Sequence, residues 1–406
     1  MAERLVVVGG GQAAFSLVSK LRALGDSRSI TILSVEDVAP YQRPPLSKKY
    51  LLGGMEFERL LLRPVDWYVQ NNIELRLSTF VEEIDPAGQF VRLQDGSNIA
   101  YDYLVLATGS TPRRLPSAIG GDLRGVHVMR DKRDADLLMD KMNAGRRLLV
   151  IGGGYIGLEA AAVARHKGME VTLIEMADRI LQRVAAPETA EIIRTVHLQH
   201  GVVIKQSTGL VRLTGENGVL SGAELSDGTN LHVDLAIVGI GVAPNDELAR
   251  RAGLNVANGI VVDEFARTSD SRIFAVGDCV MLPWRGELVR LESVQNAVDQ
   301  AEVVAANLSG QSLTYQPKPW FWSDQYDVKL QIAGFNRGYD EVLVRPGARQ
   351  GAISVWYFRG GRFAAVDAIN DAKAYVTGKK LLDSGIEPDR GLLADPSSDL
   401  KQLLSL

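Results

Sequence analysis

Two glycine-rich stretches carry the residue types and spacing that bind a dinucleotide. In "LVVVGGGQAAFSLVSKLRALG" (5–25), Gly9, Gly11 and Ala14 form G-x-G-x-x-A between a short β-branched run and a helical pattern. Glu36 closes the next apolar run, "ITILSVE", 22 residues after Ala14. In "RRLLVIGGGYIGLEAAAVARHKGMEVTLIE" (146–175), Gly152, Gly154 and Gly157 form G-x-G-x-x-G, and Glu175 follows 18 residues after Gly157. Each part has a physical task. The first glycine permits a tight turn, the second lets a pyrophosphate approach the backbone, and the third small residue lets the helix pack on its sheet. The helix N-terminus attracts the phosphates, and the acid accepts from a ribose hydroxyl. One such motif is weak evidence. Two complete units, each with strand–turn–helix–strand context, predict two bound dinucleotides.

The simplest pair is FAD with a nicotinamide nucleotide, because a hydride must pass from a diffusing carrier to a fixed acceptor. The second unit is expected to take the nicotinamide nucleotide. Glu175 would repel a 2′-phosphate, which favours NAD over NADP; Arg179 and Arg183 lie near enough in sequence to pull the other way.

The rest of the chain must position these loops. Its 406 residues are too many for one ordinary core and suggest two or three domains. The first strand begins almost at once, with no basic n-region and apolar stretch ahead of it, and the apolar runs are far too short to span a bilayer, so neither a secretory signal nor a membrane span is expected. A net charge of −4 argues against bulk nucleic-acid binding, and the five histidines show no metal-ligand spacing. One cysteine, Cys279, permits no intrachain disulfide and suits a reducing, cytoplasmic compartment. Charge is uneven: residues 316–380 hold ten Lys/Arg against six Asp/Glu, so the acidic excess lies elsewhere. A basic segment on an acidic protein is a candidate docking face.

Three further stretches carry a resemblance. "YDYLVLATGSTPR" (101–113) resembles the A-T-G turn that closes a flavin-binding unit, "TSDSRIFAVGDCV" (268–280) the Gly-Asp element that holds the FAD ribityl chain, and "YQRPPLSKKYL" (41–51) the loop that approaches the flavin ring. With the two glycine loops in this order, the chain resembles the glutathione-reductase structural superfamily. Within it, the FAD-dependent NADH–ferredoxin reductases of bacterial oxygenase systems are most similar, over essentially the whole length, including "PWFWSDQYDVKLQIAG" (319–334). The resemblance implies an α/β fold with two Rossmann-like dinucleotide-binding domains and a C-terminal α/β domain. The FAD domain would be discontinuous (1–112 and 240–315), the NAD domain would occupy 113–239 and the C-terminal domain 316–406.

It also implies roles. Lys48 matches a lysine near flavin N5, where positive charge stabilises the electron-rich reduced ring, and Glu159 matches the acid that pairs with it. Tyr155 matches an aromatic that covers the nicotinamide pocket. FAD contacts would come from Gly9, Gly11, Ala14, Glu36, Arg43, Lys48, Thr108, Gly109, Arg113, Asp278, Ser293, Val294 and Trp320. Those of NAD would come from Gly152, Gly154, Tyr155, Gly157, Glu159, Glu175, Arg183 and Gly241. Apolar spacing in "LESVQNAVDQAEVVAANL" (291–308) predicts a helix beginning near Ser293, whose positive end would face the flavin pyrimidine. Trp320 and Trp322 match an aromatic cluster near the flavin edge.

Disulfide reductases of this superfamily use a cysteine pair in the N-terminal segment, and this chain has no cysteine before residue 279. Cys279 follows Asp278, whose charge would raise the thiol pKa, so electrons are expected to leave the flavin without a protein sulfur. The implied acceptor is a 2Fe–2S ferredoxin, and through it a haem monooxygenase or ring-hydroxylating oxygenase, docked by Lys318, Lys329, Arg337, Arg359 and Arg362. The alternatives on the same scaffold are a rubredoxin reductase, another FAD-dependent NADH oxidoreductase, or a redox-sensing relative without catalysis. No metal site, no nucleic-acid partner and no membrane association are expected.

Overall fold

A computed structural model describes residues 3–404. The chain gathers into two compact units. The first holds the chain up to Gln42, then Phe57–Thr111 and Val242–Pro319; the second holds Arg43–Glu56, Pro112–Gly241 and everything from Trp320 on. The segment Arg43–Glu56 therefore packs apart from its flanking residues, and the C-terminal region shares a unit with residues 112–241.

In the first unit, five parallel strands lie in the order Ile273–Ala275, Tyr103–Leu106, Arg4–Val8, Ser29–Leu33, Ile73–Arg76. The middle strand is apolar at almost every position because it is covered on both faces. The chain moves outward from it in one direction, then returns to its other side. Its C-terminal end is therefore a switch point, and Gly9 follows it directly. Helix Gln12–Ala23 and helix Val294–Leu308 share one apolar core with this sheet, through Ala14, Leu17, Val18 and Leu21 from one and Ala297, Ala301, Val304 and Ala305 from the other. The second helix starts where its sequence spacing puts it, and the Ser293 hydroxyl caps it by accepting from Asn296 N–H at 3.1 Å.

The second unit repeats the plan. Its parallel strands run Val203–Lys205, Glu170–Ile174, Arg147–Ile151, Leu235–Val238, Val126–His127, again with the loop-bearing strand in the middle. Beside this sheet the C-terminal segment forms an antiparallel one, ordered Trp320–Gln325, Val328–Gly334, Arg362–Ile369, Ile353–Arg359, Glu341–Pro346. Strand alternation sorts its two faces. Trp356 and Phe358 pack with Ala374 and Leu381 of helix Ala372–Ser384, whereas Val355 and Tyr357 pack against Ala186 at the start of helix Pro187–Gln199. A sheet buried on both faces cannot stand as a separate body, which is why this region and residues 112–241 form one unit. Arg345, buried, donates to the carbonyls of Leu393, Asp395 and Ser398 and so ties down the last segment.

Candidate functional sites in the two units

The first glycine loop is built to leave its helix end open. Gly9 has φ +119°, and a Cβ there would lie 2.1 Å from the Ala107 carbonyl oxygen. Only glycine fits. A Cβ at Gly11 would meet nothing within 4 Å, and no side chain caps the helix that Gly11 begins. Free N–H groups thus face open space, which suits a pyrophosphate. Ala14 is fully buried against the sheet. Glu36 accepts from the Tyr41 hydroxyl at 2.7 Å.

Around this loop, Thr108 and Gly109 form a turn that Asn245 clamps. Thr108 Oγ1 donates to the Asn245 carbonyl at 2.7 Å, and Asn245 Nδ2 donates to the Thr108 carbonyl at 2.8 Å. Asp278 accepts from Ser110 Oγ at 3.1 Å and stays partly exposed. Gly277, at φ +83°, would place a Cβ 3.4 Å from Ala13 and 3.8 Å from Ala297, so this turn, the loop helix and the Ser293-capped helix converge. These features fit the diphosphate and ribityl parts of a flavin dinucleotide. Asn245 and Ser110 were not anticipated; both adjoin motifs that were.

Cys279 lies in the same unit, fully buried, with its sulfur 3.4 Å from the Val276 carbonyl and 3.7 Å from that of Leu106. Burial pushes its thiol up. It is neither exposed nor activated.

The second unit has a loop of the same kind, closed at its third glycine as well. Gly152 has φ +105°, with a would-be Cβ 2.5 Å from the Gly239 carbonyl oxygen, and a Cβ at Gly157 would lie 2.2 Å from the Gly152 oxygen. Gly154 is open and its helix is uncapped by any side chain. The acid has turned onto its own loop: Glu175 Oε2 accepts from Gly153 N–H at 2.7 Å and Oε1 from Ala177 N–H at 2.8 Å. Arg183 brings its guanidinium within 3.4 Å of the Cβ position of Gly241, itself at φ +94°. Arg179 spends its guanidinium on the Ala185 and Gln182 carbonyls.

One turn along the loop helix, Glu159 is 2% exposed and meets Lys48. Lys48 Nζ and Ser47 Oγ each donate to Glu159 Oε2 at 2.6 Å, while Ser323 Oγ donates to Oε1 at 2.7 Å. A buried carboxylate needs such a set, because desolvation must be offset by a counter-charge and hydrogen bonds. Tyr155 packs its ring on Phe321 at 4.9 Å, and its hydroxyl is buried with no hydrogen-bond partner among the described residues. Arg43 donates to the Arg130 carbonyl at 3.3 Å, and Arg113 is exposed. Trp320 and Trp322 stand side by side at 5.3 Å. Ser47 and Ser323 were missed by sequence reading, although Ser47 sits inside "RPPLSK".

The basic excess of the C-terminal segment is only partly available at the surface. Arg345 is buried among carbonyls, whereas Lys329, Arg337 and Arg362 are exposed, and Arg359 and Arg362 face each other across one hairpin. In the first unit Lys318 is exposed.

Comparison with known proteins agrees with this geometry. Residues 3–301 match the family model of pyridine nucleotide-disulphide oxidoreductases, and residues 320–404 match a reductase C-terminal model. Rhodocoxin reductase from Rhodococcus erythropolis is 43% identical over 98% of this chain and 93% of its own. Putidaredoxin reductase from Pseudomonas putida is 40% identical over 99% and 97%. A covalent putidaredoxin reductase–putidaredoxin complex superposes with a TM-score of 0.97 at 40% identity, covering 100% of this chain and 99% of that one.

Proposed function

The chain belongs to the pyridine nucleotide-disulphide oxidoreductase family, and from that premise we propose that it is a FAD-dependent reductase that passes electrons from NADH, one at a time, to a 2Fe–2S ferredoxin. That ferredoxin would serve a haem monooxygenase or a ring-hydroxylating oxygenase. The observation that carries this reading is the state of the single cysteine. A protein disulfide needs two sulfurs, and the one present is buried with its thiol pKa raised. Electrons therefore have no protein sulfur to pass through and must go directly to an external acceptor. The balance is one NADH and two oxidised ferredoxins giving NAD+, two reduced ferredoxins and one proton.

When bound, FAD supplies the conversion from a two-electron hydride donor to one-electron acceptors. The chain's own residues bind and orient. In this reading residues 1–112 and 240–315 hold FAD: Gly9, Gly11, Ala14 and the open helix end take the pyrophosphate, Glu36 a ribose, and Asp278 the ribityl chain. Residues 113–239 take NADH through Gly152, Gly154, Gly157 and Glu175. NADH is favoured over NADPH because Glu175 opposes a 2′-phosphate and Arg179 is already engaged with backbone carbonyls. Lys48 supplies fixed positive charge to the reduced ring, and Glu159 holds Lys48. Residues 316–406 provide the ferredoxin-facing bases. We read the protein as cytoplasmic, since a lone buried thiol suits a reducing compartment, and no helix among the described residues is long and apolar enough to cross a membrane.

The test is NADH-driven cytochrome c reduction by the purified yellow protein, with and without added 2Fe–2S ferredoxin, and with NADPH as control. The expected rate depends strongly on ferredoxin, falls with salt and prefers NADH. Turnover indifferent to ferredoxins, with rapid oxygen uptake, would overturn the reading.

A further inference from the structure

Glu159 is the end of a longer chain of buried groups within the second unit. Strand Trp320–Gln325 turns Phe321, Ser323 and Gln325 to one face, and Ser323 and Gln325 are buried there. Gln325 Nε2 lies 3.0 Å from Ser323 Oγ. Gln325 Oε1 lies 2.8 Å from Nε2 of His197, a fully buried residue of helix Pro187–Gln199. His197 Nδ1 lies 3.5 Å from the Tyr326 hydroxyl. Tyr326 stacks on His200 at 3.7 Å, and both line an open cleft.

One charge sets the direction of all these bonds. A carboxylate only accepts, so Ser323 must donate to Glu159. Having spent its hydrogen, Ser323 must accept from the Gln325 amide N–H. Gln325 Oε1 then faces His197, whose Nε2 must carry the proton. The neutral ring leaves Nδ1 as an acceptor for Tyr326. Burial agrees, lowering the His197 pKa to about 4. The middle link is an amide, which cannot hand on a proton without changing its bonding. The chain therefore holds rather than conducts.

We propose that Ser323, Gln325 and His197 are positioning residues that fix the Glu159 carboxylate, and through it Lys48, for hydride transfer from NADH. This rests on the reading above that the Lys48–Glu159 pair serves the flavin. Ser323, itself held by the Gln325 amide, occupies Oε1, which leaves Oε2 aimed at Lys48; without Ser323 Glu159 loses the contact that selects its rotamer.

The experiment is anaerobic stopped-flow reduction of the FAD-loaded protein by NADH, in Ser323→Ala, Ser323→Thr, Gln325→Met and Glu159→Gln and their combinations. Ser323→Ala is expected to slow flavin reduction at saturating NADH by about tenfold, with NADH affinity unchanged, and Gln325→Met by roughly three- to fivefold. Ser323→Thr, which keeps the hydroxyl, recovers most of the rate. In the Glu159→Gln background neither substitution costs anything more, because the group they act through is gone. Losses that persist undiminished in that background would mean general damage and overturn the inference. Wild-type rates in Ser323→Ala and Gln325→Met, beside a slow Glu159→Gln, would sink the positioning role and leave the reading of the pair intact. A wild-type rate in Glu159→Gln itself would sink that reading. Should Gln325→Met fail to fold, Ser323→Ala, which removes one atom, carries the test.

Discussion

The two glycine loops are the same device carrying different loads. Gly9 and Gly152 both abut a carbonyl oxygen of the neighbouring strand end, and both loop helices lack a side-chain cap. Four residues further on from the helix start they diverge. In the first unit Gln12 and Ser16 stand where the second has Tyr155 and Glu159. Gln12 Nε2 merely donates to Ser16 Oγ at 3.1 Å. In the second unit the same positions bury a carboxylate and an unpartnered phenol. The acids differ as well: Glu36 answers to a tyrosine and Glu175 to its own loop. A scaffold fixed by glycines tolerates such exchange, because in the proposed reading the backbone would do the shared work of phosphate binding while side chains one turn away are free to specialise.

Breaking each loop tests the division of labour most severely. Gly9→Ala is expected to yield protein that retains no flavin, since its Cβ would strike Ala107 in a backbone conformation that L-residues avoid. Gly152→Ala should stay yellow yet resist reduction by NADH. Absorbance at the flavin band, before and after NADH, separates the two; a colourless Gly152→Ala would reverse the assignment.

The buried polar load of the second unit should also leave a signature in its stability. His197 has its pKa lowered from 6.5 to about 4 by burial, so in that interval the unfolded chain takes up a proton that the folded chain refuses. Stability therefore falls as pH drops, by roughly 3 kcal/mol at most. Asp367 is fully buried and accepts from Tyr357 and Thr189, and its pKa is raised from 3.8 to about 6, again chiefly by burial. Its sign is opposite: it favours the folded chain at low pH and withdraws that contribution as pH rises through 6. Between pH 7.5 and 5 the two contributions oppose each other, so the fall in urea midpoint on acidification should vanish or reverse in His197→Gln and deepen in Asp367→Asn.

Smaller effects sharpen the comparison of the acids. Glu175→Ala is expected to cut the NADH over NADPH preference in kcat/KM by about tenfold. Glu36→Ala should leave that ratio alone. Cys279→Ala in the first unit should leave turnover unchanged and lower Tm by roughly 2–4 °C, the cost of a small buried cavity. A large loss of turnover there would contradict a direct electron exit from the flavin.

Much of this was legible before any fold was known. The glycine loops, the A-T-G turn, the Gly-Asp element and the helix from Ser293 are all local patterns, in which the backbone demands of a turn or a helix act over a few residues. "WFWSDQ" shows where local reading stopped. Its tryptophans drew notice as large aromatics, yet the intervening Ser323 and Gln325 are the residues that reach Glu159 and His197. Alternation alone places them on one face but cannot say what that face meets.

By itself the sequence determined the two glycine loops and the single sulfur, because steric limits on glycine and a count of thiols need no distant partner; the candidate pair Lys48–Glu159 came from the family resemblance. Only the tertiary structure decided that Arg43–Glu56 and the C-terminal sheet share a unit with the second loop. The same holds for the chain of donors that converges on one buried carboxylate from segments as far apart as Ser47 and Ser323. The reason is desolvation: a carboxylate removed from water must collect its hydrogen bonds from whatever the fold brings near, and that neighbourhood is a property of packing, not of spacing along the chain.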